Sequence, residues 1–156
     1  MKTDYFSRFP YAEIRSQDGM TSFKICTYDF AYPDADNSDD ADWHRNYLTF
    51  TAPGFKAEVD EVILEGTIIQ YYLGELRSFS SLEKDEVIFE PTEPYFELTI
   101  RFLSKKKDVG IEGYVQSPVG TGPKLEFDFE TDLTFVDEFI EGLELILAGF
   151  PAVRKR

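Results

Sequence analysis

From Phe96 to Phe102 the chain reads Phe-Glu-Leu-Thr-Ile-Arg-Phe, with an apolar residue at every second position. Successive side chains of a strand point to opposite faces, so this stretch predicts a strand with one buried and one wet face. The same alternation marks Phe23-Ile25, Leu48-Phe50-Ala52, Phe55-Ala57-Val59, Ile111-Gly113-Val115 and Leu125-Phe127-Phe129. Glu126, Asp128 and Glu130 supply the wet face of the last of these. Ala52-Pro53-Gly54 and Ser104 to Asp108 read as hairpin turns, and Ser117 to Pro123 as a longer one. Short connections of this kind join antiparallel neighbours.

Two stretches change period. Ile69, Tyr72, Leu73, Leu76 and Phe79 fall on one face of a helix. So do Val136, Phe139, Ile140, Leu143, Ile146 or Leu147, and Phe150. Thr134 is the expected N-cap of this second helix, with Asp137 three residues on, and Gly149 before Pro151 is its stop signal. With no repeat or linker in the sequence, the order of elements predicts one α+β domain over residues 1–156. Its core spans about 11–151, with residues 1–10 and 152–156 peripheral. The expected architecture is an antiparallel β-sheet of about six to eight strands with two amphipathic helices packed on its apolar face.

Composition narrows the function. Thirty acidic residues against 16 basic give a net charge of −14, which would repel the phosphates of nucleic acid and attract a basic protein. The charge also serves solubility. Fifteen Phe, nine Tyr and one Trp supply a large core. A single cysteine, Cys26, lies in an alternating run and reads as a buried thiol with no disulfide partner. The N-terminal stretch has no apolar h-region and no apolar run spans a membrane, so a soluble, cytoplasmic protein is expected.

The acidic residues are concentrated in one place. Asp34, Asp36, Asp39, Asp40 and Asp42 are followed at once by Trp43, His44, Arg45, Asn46 and Tyr47. An acidic loop anchored by an aromatic at the mouth of a sheet can bind a cation, face a basic partner, or lie solvated at a turn. Read as a calcium loop from Asp34, it fails where the demands are strictest: Asp39 stands at the position of the required Gly, and Arg45 at that of the bidentate Glu. One His and one Cys far apart argue against zinc. His44 as the lone imidazole supplies no triad, and its neighbouring carboxylates would raise its pKa. Gly120-Thr121-Gly122-Pro123 lacks the Lys-Ser/Thr and the helix of a phosphate loop. No enzyme, metal or cofactor is expected. Asp34, Asp36, Asp39, Asp40 and Asp42 are the candidates to face Lys and Arg of a protein partner, with Trp43 and Tyr47 as aromatic anchors.

The run Asp39-Asp40-Ala41-Asp42-Trp43-His44-Arg45-Asn46-Tyr47-Leu48 resembles the WapI-type immunity proteins of bacteria. So does the run from Leu125 to Val136, which leads into a closing helix that ends at Gly149-Phe150-Pro151. The likeness extends from Phe23 to Pro151. It implies a small cytoplasmic antitoxin that binds and blocks the C-terminal toxin domain of a polymorphic contact-dependent toxin. In the best-known pairing of that family the toxin is a tRNA nuclease. The resemblance brings no interface residues with it; the acidic loop is inferred from charge. The alternative is a non-enzymatic interaction module, as a homodimer through a sheet edge or with a small apolar ligand cradled by its aromatics.

Overall fold

The computed structural model describes residues 4–103 and 108–153. After a short helix α1 (Tyr5–Arg8), strands β1 (Tyr11–Arg15), β2 (Ser22–Phe30), β3 (Trp43–Ala52) and β4 (Phe55–Glu65) form one antiparallel sheet in chain order. A one-turn helix, α2 (Ser38–Ala41), interrupts the connection from β2 to β3. Helix α3 (Gly66–Ser80) follows β4 without a loop. The pattern then repeats: β5 (Glu86–Phe89), β6 (Phe96–Phe102), β7 (Asp108–Gln116) and β8 (Lys124–Asp132) make a second antiparallel sheet in chain order. Helix α4 (Leu133–Gly149) grows directly from β8. The α+β class stands. The eight strands divide into two sheets, and the topology ββββα occurs twice although the sequence shows no repeat.

The two apolar faces meet in one core. Phe23 lies against Phe96, with ring centroids 4.9 Å apart, and Phe50 stacks on Phe127 at 4.0 Å, so β2 and β3 face the second sheet directly. The helices fill the remainder. Ile69, Leu73, Leu76 and Phe79 are buried on α3, as are Val136, Phe139, Ile140, Leu143 and Ile146 on α4. Phe79 stacks on Phe102 and Tyr72 on Phe89.

The helices are exchanged between the halves: α4 packs on β1, the first strand of the other sheet, while α3 touches β5 as well as α4. Gly142 allows this approach, because a Cβ there would sit 2.5 Å from the Ala12 Cα. Links to the second half, at and just past the end of β1, close the seam. Thr131 Oγ1 donates to the Arg15 carbonyl at 2.6 Å, Gln17 N donates to the Glu130 carbonyl at 3.1 Å, and Arg15 pairs with Glu138.

Local details refine the sequence reading. The turn at Pro53-Gly54 joins β3 to β4, with Gly54 at φ 84°. Ser117 to Pro123 joins β7 to β8. Ser104–Lys107, in the other expected hairpin, and the Arg154–Arg156 tail lie outside the described residues. The N-cap of α4 is Asp132, not Thr134. Asp132 keeps an extended backbone at the end of β8 and its carboxylate accepts from Phe135 N, whereas Thr134 is already inside the first turn. The stretch expected to be peripheral also has work in the fold: Tyr5, Phe6 and Phe9 of the α1 segment lie over Tyr28 and Tyr47 on the outer face of the first sheet. Among the described residues no helix is long and apolar enough to cross a membrane.

Candidate partner-binding site

The acidic stretch is ordered by its own side chains. Asn37 caps α2, its Oδ1 accepting from Asp40 N at 2.8 Å while its Nδ2 donates to Asp40 Oδ2 at 3.0 Å. Asp39 and Asp40 occupy the first turn, where carboxylates suit the positive end of the helix. Asp34, Asp36, Asp39 and Asp40 are exposed.

Asp42 and Tyr47, expected to face a partner, are inside the protein at 2% and 1% exposure. Asp42 acts as a clamp. Its Oδ2 accepts from Thr67 N at 2.9 Å and from Thr67 Oγ1 at 2.8 Å, and its Oδ1 accepts from Val153 N at 2.8 Å. The residue in the N-cap position of α3, Glu65, makes no side-chain cap bond, so Asp42 supplies the cap from elsewhere in the chain. Tyr47 donates its phenol to Glu58 at 2.6 Å beneath the α1 rings, so it serves the fold.

His44 is the second correction. The sequence predicts a carboxylate-rich loop and a raised pKa; His44 is instead a fully buried residue of β3. Burial holds its pKa down to about 4, against the opposing pull of Asp42. Its Nδ1 is 2.9 Å from Thr27 Oγ1, its ring lies against Phe30 and Phe150, and its Nε2 has no hydrogen-bond partner among the described residues. Asn46 completes this interior network. Its Nδ2 donates to the Cys26 carbonyl and to Thr27 Oγ1, and its Oδ1 accepts from Ile63 N and Leu64 N. Side-chain bonds thus accompany the register shifts on both sides of β3. Cys26 is buried beside it, its thiol pushed up to about 11 by burial, as its alternating context implied.

Trp43 has a different role. It is half-buried at the start of β3 and lines an open groove of about 780 Å3 with Tyr32, Ala35, Asp40, Glu61, Val62, Glu93 and Tyr95. Of the seven candidates, only Asp40 and Trp43 come together here. Burial first, then the charges of Glu61 and Glu93, raise the Tyr95 phenol. Residues of the groove come from the β2–α2 connection, α2, β3, β4 and the β5–β6 connection. The contributors from β4 and the β5–β6 connection escaped the sequence reading. Glu93-Pro94-Tyr95 is an acidic and aromatic turn, but nothing in the sequence links it to Asp40.

This acidic strand-entry element and the β8-to-α4 closure belong to a recognisable pattern: residues 13–151 match the immunity protein WapI-like family. The chain belongs to that family. No curated protein matches the sequence. The immunity-family match spans both sheets and both long helices, so the groove and the acidic loop lie within it.

Proposed function

We propose that the chain is an immunity protein that binds and neutralises the C-terminal toxin domain of a polymorphic contact-dependent toxin. It acts in the cytoplasm, by binding and not by chemistry. The observation that carries this reading is the family match over residues 13–151. The charge of −14 supports a basic toxin domain as the partner. A nuclease suits it best, because the groove that takes phosphates is basic and an acidic protein can occupy it in their place. Asp34, Asp36, Asp39 and Asp40 are exposed to steer the encounter, with Trp43 beside Asp40 as an anchor.

The test is a pull-down with the toxin domain encoded beside the gene, then titration at low and high salt. Tight binding that weakens with salt, together with rescue of cells expressing the toxin, is the expected result. No binding to that domain, or rescue without binding, removes the reading. Replacing Asp34 and Asp36 by Asn should slow association and flatten its salt dependence without changing the melting midpoint. Equal association rates would remove this loop from the interface.

A further inference from the structure

The groove beside Trp43 combines two kinds of wall. Tyr32, Trp43 and Tyr95 present rings, Asp40, Glu61 and Glu93 present carboxylates, and among the described residues no Lys or Arg lines the groove. Carboxylates alone attract any cation and retain none in particular. Rings alone accept any flat apolar group. Together they suit a cation that is planar and weakly hydrated, which can lie on a ring and donate N–H bonds to carboxylates at the same time. Guanidinium meets both conditions. An ammonium keeps a tighter hydration shell, which a groove this open does not strip away. Anionic groups are repelled. At about 780 Å3 the groove has room for a side chain together with the backbone that carries it.

We propose that this groove is the receptor for an arginine-bearing segment of the protein partner. The guanidinium packs on the aromatic wall and is neutralised by Asp40, Glu61 and Glu93. This rests on the reading of the chain as a toxin-binding protein, and it adds the surface used and the side chain recognised.

Trp43 is the only tryptophan, so its fluorescence reports on the groove alone. The probe is a short blocked peptide bearing arginine, compared with the same peptide bearing citrulline, which has the same shape without the charge. The arginine peptide is expected to shift Trp43 emission saturably and in a salt-sensitive way, and the citrulline peptide to leave it unchanged. Glu61→Gln with Glu93→Gln, both at exposed positions, should weaken peptide and toxin-domain binding about tenfold while keeping the melting midpoint. Equal responses to the two peptides, or none to either, overturn the receptor. So does wild-type toxin affinity in the double variant, which would leave the immunity reading standing. A chain that binds the arginine peptide but not the toxin domain does the reverse: the receptor survives and the immunity reading falls.

Discussion

Tyr28 and Tyr47 rise from the outer face of the first sheet and lie under the rings of Tyr5, Phe6 and Phe9. On the outer face of the second sheet, exposed Glu112 faces exposed Asp128 across the β7–β8 ladder, and Tyr114 stands between Glu97 and Glu126. A shallow basin of about 360 Å3 opens above them. Like charges placed directly opposite each other destabilise a sheet, and Arg101, 2.6 Å from Glu112, relieves only part of this. The two sheets have the same strand number, order and direction. One outer face is covered and contributes to stability; among the described residues nothing is laid over the other, which keeps an arrangement unfavourable to it. Topology therefore does not decide how a face is used. What covers it does.

The sharpest way to break this contrast is to strip the cover. Tyr5→Ala with Phe6→Ala removes two half-buried rings and should cost about 4 kcal/mol in urea unfolding, less than two fully buried rings would. An unchanged midpoint would show that the α1 segment is not part of the folded unit. The clamp beneath the acidic loop comes next. Asp42→Ala should cost about 3 kcal/mol, because it strands three donors and uncaps α3. Asp40→Ala, at an exposed position on the same loop, should cost less than about 1 kcal/mol. Equal costs would erase the distinction between buried and exposed members of the cluster.

Acid should act on the first sheet through His44. Below pH 6.5 the unfolded chain takes up a proton that the folded chain refuses until about pH 4. Stability is therefore full above 6.5 and declines through that window by roughly 3 kcal/mol. His44→Gln cannot titrate, so the difference between it and the parent should shrink by that amount as the pH falls from 7 to 4. Parallel curves would mean that the imidazole is not held neutral. The smallest effect belongs to the bare face: Asp128→Asn should raise stability by up to about 1 kcal/mol by removing one of two opposed carboxylates. A loss there would show the acidic face to be structurally paired after all.

Much of the architecture was legible because burial imposes a period. β2, β3, β4, β6, β7, β8 and both long helices follow their apolar spacing. β5 is only four residues long, and Ala12 gives β1 a weak signal, so neither stood out. Alternation also tells which face is buried but not which strands share a sheet, and the division into two sheets escaped it. The acidic stretch was visible as a cluster. Which Asp turns inward depends on Thr67 and Val153, far along the chain, and no local pattern separates Asp42 from Asp40. His44 is hidden for a related reason: sequence shows its charged neighbours, whereas its titration is set mainly by burial among residues brought from elsewhere.

The exchange of helices between the halves bears on how the chain reaches its fold. Arg15 and Glu138 are 123 residues apart in sequence, yet they meet at the seam where α4 covers β1. Contacts at such separation close large loops, which slows folding more than it changes stability. The first ββββα unit, once synthesised, still lacks the helix that covers its first strand. Each unit made separately should therefore give no cooperative thermal transition, while mixing the two should restore one.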